Sequence, residues 1–277
     1  MSSWDTGLST GCFYQTPILD CLESIERAGF KKIEICSLPR HLDYHDGAAV
    51  QRAASRIQDL GLEAYSLHAP FADHIDISSP DPDIRKRSQE QILQAAMSAA
   101  VLQVRYFVVH PGPETGGFPE HERLSRMEHA ASVLNEAARR CHELGISLIL
   151  ENKLPHLFAG RVRDLLWILA SLDTTEVGIC LDTGHAHLAG ELPTVVHTVS
   201  TNLRMVHASD NHGHYDDHLP PGDGEIRWEE LLRELATIQF DGSFILEISG
   251  AASRDEILAG AERARRYLTS LVASSSE

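Results

Sequence analysis

Cysteine is sparse in this sequence and never occurs in closely spaced pairs. The 277 residues contain five cysteines, which are scattered and form no CxxC pair. They are Cys12, Cys21, Cys36, Cys141 and Cys180. An odd and dispersed set argues against a disulfide framework and against a zinc site made of thiolates.

Long apolar runs are also missing. The first residues show no basic stretch followed by an apolar one, and no apolar run approaches the roughly 18 residues that indicate a membrane span. No segment rich in Pro, Gly or Ser and no block of like charge divides the chain. We therefore expect a cytoplasmic protein with no membrane partner, built as one domain over residues 1–277.

Basic residues are outnumbered by acidic ones. The chain has 24 Lys and Arg against 40 Asp and Glu, which gives a formal net charge of −16. A charge of this sign repels polyanions unless a local basic surface overrides it. Many acidic enzymes share such a composition, so the net charge is only a weak argument against nucleic acid as a partner. The apolar fraction of 43% is ample for a core and excludes a disordered chain.

The chain alternates short β-branched runs with longer amphipathic patterns. Apolar residues such as Met127, Ala131 and Leu134 recur at helical spacing, and glycines such as Gly61 and Gly145 stand where a helix would end. The strand-like runs are Gly7–Thr10, Lys32–Cys36, Glu63–Leu67, Tyr106–Val109, Ser147–Leu150, Val177–Leu181, Leu203–Val206 and Phe244–Leu246. Eight strand–helix units predict an α/β fold with a single (β/α)8 barrel, although a doubly wound open sheet fits the same alternation.

Side chains that can bind metals stand where the later strands end. These residues are His68, His110, Glu151, Asp182, His207 and Glu247. All strands of a parallel barrel end on one face, so the six side chains converge there. Carboxylates gathered in one pocket repel each other unless cations neutralise them. The pattern predicts a divalent metal site at the C-terminal face of the strands, with Zn or Mn favoured and Mg, Co or Fe as alternatives.

Further candidates lie in the adjoining loops. His185 comes one turn after Asp182. Asp216 and His218 are two residues apart, which places them on one side of an extended segment. The polar stretch 210–218 also fits a solvated turn with no ligand role.

Several short motifs follow one another along the chain in an order that is typical of a known family. They are His110-Pro111-Gly112, Glu151-Asn152, Asp182-Thr183-Gly184-His185-Ala186-His187, His207-Ala208-Ser209-Asp210-Asn211, Asp216-Asp217-His218 and Leu246-Glu247. The set resembles the xylose isomerase-like TIM barrel superfamily and covers nearly the whole chain. That group includes sugar isomerases and epimerases, inosose and dehydroshikimate dehydratases, and the endonuclease IV family, which cuts DNA at abasic sites.

The resemblance implies two or three metal ions per chain. One would be held by Glu151, Asp182, His207 and Glu247. A second would be held by His68, His110 and a bridging Glu151, and a third by His185, Asp216 and His218. All nine ligand positions of the trinuclear endonuclease type are therefore matched. His187 departs from that endonuclease family, which usually has an aromatic residue there.

Two mechanisms compete at this site. In the first, an isomerase or epimerase acts on a small sugar or polyol, and the metal stabilises an enediolate while Glu151 and Glu247 act as acid and base. His185, His187 and Lys153 would then contact the substrate, although Lys153 also fits a plain surface lysine. Glu34, inside the second strand, would be a buried polar partner or a core carboxylate paired with a histidine.

In the second mechanism, an endonuclease IV-like hydrolase with several zinc ions cleaves a phosphodiester. The full ligand count favours it, but a DNA-binding barrel needs Lys and Arg around its mouth. The stretches 69–83, 111–122 and 210–218, which follow the third, fourth and seventh strands, contain neither, and the basic residues near the mouth are Arg40, Lys153, Arg161 and Arg254. We therefore expect a small sugar substrate rather than nucleic acid. The sequence leaves monomer, dimer and other homo-oligomers open.

Overall fold

Eight parallel strands close into one barrel in the computed structural model, which describes residues 4–190 and 192–274. Strand order follows chain order, and the last strand pairs with the first. The strands are β1 Thr6–Ser9, β2 Lys32–Cys36, β3 Glu63–His68, β4 Tyr106–Val109, β5 Ser147–Glu151, β6 Gly178–Asp182, β7 Leu203–Ala208 and β8 Ser243–Leu246. Closure confirms the (β/α)8 barrel over the open sheet. Positions 1–3, 191 and 275–277 of the predicted domain lie outside the described residues.

Helices follow the strands and pack around the barrel. They are α1 Leu22–Arg27, α2 Gly47–Asp59, α3 Pro82–Val101, α4 Arg123–Leu144, α5 Val162–Ala170, α6 Thr183–Leu188, α7 Leu192–Val199, α8 Trp228–Thr237 and α9 Arg254–Ser274. The Asp81 side chain caps α3 by accepting backbone N–H groups, and Pro82 opens that helix. Gly61 and Gly145 adopt φ values of +64° and +74°, as predicted for glycines that end helices.

Four strands run further toward the site than predicted. β3, β5, β6 and β7 end at His68, Glu151, Asp182 and Ala208, whereas the sequence placed the polar residues just after the strands. The reason is that the backbone of these residues still pairs with its neighbour, as Asp182 does with His207. Thr10, predicted as the end of the first strand, instead begins a 3-10 turn.

Part of the barrel interior below the candidate ligands is apolar. Its inward side chains form a separate buried cluster of Tyr65, Tyr106, Val108, Ile149, Cys180, Met205 and Ile245. Since strand side chains alternate between two faces, a residue two positions further along points the same way. Five of the predicted ligands stand two residues after a member of this cluster. They are His110, Glu151, Asp182, His207 and Glu247.

All five cysteines are buried as free thiols, as their scattered positions predicted. Burial raises the pKa of Cys21, Cys36 and Cys141 to about 12, so these thiols are protonated at neutral pH. Within the two described ranges, no helix has both the length and the apolar character needed to cross a membrane.

Candidate metal and active site

Glu151, the last residue of β5, is surrounded by imidazole rings. Its Oε2 lies 3.1 Å from Nε2 of His68, 3.4 Å from Nε2 of His110 and 3.2 Å from Nδ1 of His207. The carboxylate is only 1% exposed. Residues far apart in sequence thus meet at one carboxylate oxygen, as the strand-end pattern predicted.

Glu247 approaches the same ring nitrogen of His207 as Glu151 does. Its Oε2 lies 3.2 Å from Nδ1 of His207, and its side chain is 22% exposed. Asp182 is the fourth member of this group. Its Oδ1 accepts the backbone N–H of His185 at 2.6 Å and so caps α6. Asp182 Oδ2 and His207 Nδ1 are buried and have no hydrogen-bond partner among the described residues. Buried polar atoms of native proteins nearly always have a partner, so these two atoms fit a cation ligand set.

Among the described residues, four groups of side chains bring their ligand atoms within 4.8 Å of one another. They are His68, His110 and Glu151; Glu151, Asp182, His207 and Glu247; His185, Asp216 and His218; and Glu151, Cys180 and His207. Three of these groups match the predicted ligand sets, and their role as ligands stays a prediction. The sequence did not suggest Cys180, whose thiol is buried below Glu151; burial raises the pKa of that thiol and makes it a weak ligand.

The third group combines His185 with Asp216 and His218 of the loop after β7. His185 lies in α6, so its predicted place in a loop is wrong. Nε2 of His185 is 3.4 Å from Oδ2 of Asp216, and Nε2 of His218 is 3.1 Å from the same oxygen. His218 has a φ of +47°, so the prediction of an extended segment is wrong at that residue. The turn directs Nδ1 of His218 to the backbone oxygen of Glu247, at 2.8 Å. This hydrogen bond ties the loop to the end of β8.

Glu34 lies beneath His207 in the centre of the barrel. Its carboxylate accepts hydrogen bonds from Ser9 Oγ at 3.1 Å and Ser66 Oγ at 2.9 Å, and lies 2.9 Å from Nε2 of His207. His207 thus has a carboxylate at Nε2, while its Nδ1 faces the other candidate ligands. This arrangement is typical of metal-binding histidines. The structure shows the histidine pairing that the sequence left open.

The three predicted substrate contacts differ in their surroundings. His185 is buried, with Nδ1 2.9 Å from the backbone oxygen of Asn152. His187 is half-buried, and its Nδ1 lies 2.8 Å from Oδ1 of Asn211. Lys153 is 1% exposed, so its interpretation as a plain surface lysine is wrong, and it directs its ammonium group to the loop after β4. Their role in binding substrate stays a prediction.

Three histidines of the site have raised pKa values because carboxylates lie beside them. Burial alone would lower the pKa of His68, but the hydrogen bond and charge of Glu151 outweigh it and raise that pKa to about 9. Burial is likewise outweighed at His185 and His218, whose pKa values rise to about 10 beside Asp182 and Asp216. In the metal-free protein these imidazoles are therefore protonated at neutral pH.

The carboxyl groups of Asp182 and Glu247 have pKa values that are shifted in opposite directions. Burial raises the pKa of Asp182 to about 6, with partial compensation from the charge of His185. Burial would also raise the pKa of Glu247, but the positive charge of the nearby His207 imidazole outweighs it and lowers that pKa to about 2. Glu247 is thus fully ionised at neutral pH, as a proton acceptor must be.

Some supporting residues were not identified from the sequence as functional. Glu114 contacts His110, and Ser9 and Ser66 hold Glu34. Asn152, quoted only as part of a motif, accepts the N–H of Asp182 at 2.8 Å and donates to its carbonyl at 3.0 Å. The one available signal was the spacing of Glu114, an acid four residues after a ligand-type histidine.

The mouth of the barrel carries few cations. Among the four basic residues that the sequence placed there, Arg40, Arg161 and Arg254 are exposed, whereas Lys153 is buried and lies 3.0 Å from a carboxylate oxygen of Glu114. A basic surface for a nucleic-acid backbone is therefore missing from the described loops after β3, β4 and β7.

The chain is similar to proteins of two activities. A model of the xylose isomerase-like TIM barrel family matches residues 22–271. Protein MJ1311 of Methanocaldococcus jannaschii, of no stated function, is 34% identical over 69% of this chain and 68% of its own length. A probable endonuclease 4 of Mycoplasmoides gallisepticum is 26% identical over 68% of this chain and 64% of its own. The crystal structure of a D-tagatose 3-epimerase-like protein superposes with a TM-score of 0.80 at 27% identity, covering 97% of this chain and 99% of that one.

Proposed function

Because this chain belongs to the xylose isomerase-like TIM barrel family, we propose that it is a metal-dependent isomerase or epimerase of a small sugar or sugar-like polyol. The observation that carries this proposal is a pair of carboxylates, Glu151 and Glu247, that flank Nδ1 of His207 at 3.2 Å each. The likeness to the D-tagatose 3-epimerase-like protein, at 27% identity, supports the same class of reaction.

We propose that the cofactor consists of divalent metal ions, two or three per chain. The mixed imidazole and carboxylate groups suit Zn²⁺ or Mn²⁺ best, with Mg²⁺, Co²⁺ and Fe²⁺ as alternatives. The unpartnered Oδ2 of Asp182 and Nδ1 of His207 support this assignment. When bound, such an ion polarises a substrate carbonyl and offsets the negative charge that develops on the substrate oxygens.

The two glutamates have unequal access to a substrate. Glu247 is 22% exposed, whereas Glu151 is 1% exposed. We therefore assign to Glu247 the first contact with the carbon-bound proton next to the carbonyl. Glu151 acts as the second proton-transfer group from the opposite side. We retain His185 and His187 as contacts to substrate hydroxyls.

The electrostatics of the mouth favour a small uncharged substrate. The loop after β7 is rich in aspartate. Its Asp216 faces His185 of α6 and His218 of the same loop. Sugar hydroxyls can donate hydrogen bonds to such carboxylates, whereas closely spaced phosphates would be repelled. The cytoplasmic location stays a prediction, and the choice between a monomer and a homo-oligomer stays open.

A second candidate function is hydrolysis of a phosphodiester in abasic DNA. The three groups that match all nine ligand positions favour it, as does the 26% identical probable endonuclease 4. The acidic mouth argues against it, so we rank it second.

A single preparation of metal-loaded protein can distinguish sugar isomerisation from phosphodiester hydrolysis. Protein loaded with Zn²⁺ or Mn²⁺ is incubated with a panel of ketoses and, in parallel, with a duplex that contains one abasic site. We expect conversion of at least one sugar, lost after chelation, and no strand cleavage above the chelated control. Metal-dependent cleavage of the duplex without conversion of any sugar would replace our proposal with the hydrolytic one.

A further inference from the structure

A buried lysine holds the loop that follows β4. The side chain of Lys153 is 1% exposed. Its Nζ donates to the backbone oxygen of Gly112 at 3.1 Å and to that of Pro113, and lies 3.0 Å from Oε1 of Glu114. An ammonium group has three protons, and each has a partner in this one loop. Lys153 is therefore fully occupied by protein atoms.

Glu114 connects this lysine to a candidate metal ligand. The same Oε1 lies 2.7 Å from Nδ1 of His110, while Nε2 of His110 faces Glu151 at 3.4 Å. A single carboxylate oxygen thus links an ammonium group to the outer nitrogen of the imidazole. The inner nitrogen points to the cluster of His68, His110 and Glu151.

The burial of Lys153 needs a reason. A lysine loses much of its hydration when buried, so the charge persists only beside a partner. Residues 115–117 and 119–121 of the loop are exposed. The ammonium group therefore keeps Glu114 against His110 in a loop that is otherwise largely open to water.

We propose that Glu114 and Lys153 are positioning residues that fix a proton on Nδ1 of His110 and leave its Nε2 free to bind a metal ion. A histidine binds a metal through an unprotonated nitrogen, and a carboxylate at the other nitrogen selects that form. Lys153 acts through Glu114 and needs no contact with the substrate. The inference rests on the proposed metal dependence but not on the identity of the sugar.

Metal titration and NMR test this inference without any substrate. Glu114→Ala removes the acceptor, Glu114→Gln keeps an oxygen acceptor without the charge, and Lys153→Met removes the anchor. Glu120→Gln is the matched control, since Glu120 is an exposed acid of the same loop. Metal-free protein with ¹⁵N-labelled histidine is titrated with Zn²⁺ alone, against a competing chelator. Long-range ¹H–¹⁵N correlation then reports which nitrogen of His110 carries the proton.

We expect zinc to bind wild-type protein with the proton of His110 on Nδ1. Glu114→Ala should weaken the zinc ion that contacts His110 by about 10- to 100-fold and let the proton distribute between both nitrogens. Glu114→Gln should largely preserve the Nδ1–H form, and Lys153→Met should behave like Glu114→Ala. Glu120→Gln should match wild type.

Two results would overturn the inference. One is wild-type zinc affinity and an unchanged His110 tautomer in Glu114→Ala, which tests the inference even if Lys153→Met does not fold. The other is zinc binding to wild-type protein with no change in the His110 ring signals. Failure of the proposed function is separate, because it would appear as absent sugar conversion in protein whose His110 still binds zinc.

Discussion

At the scale of single residues, Glu34 in the barrel centre can influence the site only through the histidine that it contacts, His207. Glu34 is fully buried, and its only charged partner among the described side chains is His207, with Ser9 and Ser66 satisfying its remaining lone pairs. A carboxylate behind an imidazole holds the ring in place and makes its other nitrogen a better ligand. Glu34 should therefore influence metal binding without touching the ion.

Substitution of Glu34 tests this role. Glu34→Gln keeps the size of the side chain but removes the charge behind His207, so we expect metal affinity to fall by about 10-fold or more. Competition with a chromophoric chelator measures the affinity. Glu63→Gln is the control, since its carboxylate is 57% exposed at the opposite end of the barrel. Equal affinity in Glu34→Gln and wild type would show that the charge of Glu34 has no influence on the site.

At the scale of elements, two loops pack against each other beside the site. Phe158, in the loop between β5 and α5, is fully buried and contacts Phe118 in the loop between β4 and α4. A Cβ atom added to Gly112 would lie 2.3 Å from the Phe158 ring, closer than such atoms can approach. The absence of a side chain at Gly112 therefore lets the two loops meet.

We expect Gly112→Ala to destabilise the fold. The added methyl group must displace Phe158, which at this kind of packed position costs about 1–3 kcal/mol of unfolding free energy. Denaturant unfolding measures the change. Gly47→Ala is the control, because nothing lies within 4 Å of a Cβ at that position. If Gly112→Ala unfolded at the same denaturant concentration as wild type, the loops would not be packed as described.

For the whole molecule, much of the architecture could be predicted from the sequence, because strand and helix patterns repeat with different periods. The convergence of His68, Glu151 and Glu247 followed once the strands were taken as parallel. The contact of Glu114 with His110 and the left-handed turn at His218 could not be predicted. Both depend on the path of a loop in space, which three-dimensional packing sets and local sequence does not.

The raised pKa values of the site histidines make stability depend on pH. Those of His68, His185 and His218 are about 9 to 10, above their ordinary value of 6.5. A raised pKa contributes stability that is complete below the unfolded value and is lost as pH rises through the folded value. The melting temperature of chelated protein should therefore fall between pH 7 and pH 10.

Metal-loaded protein provides the control for this pH dependence. Its ligands are held by ions rather than by protons, so its melting temperature should fall much less over the same range. Differential scanning calorimetry of both samples measures the difference. Parallel curves for chelated and loaded protein would contradict the account of the site charges.

Above all, we propose that Glu247 removes the carbon-bound proton of a sugar at this site. The most direct test is deuterium uptake from D₂O into a ketose substrate, measured by mass spectrometry with metal-loaded wild type and Glu247→Gln. We predict uptake at the carbon next to the carbonyl in wild type and a loss of about 100-fold or more in Glu247→Gln, which should still bind metal. Undiminished deuterium uptake in Glu247→Gln would contradict the claim.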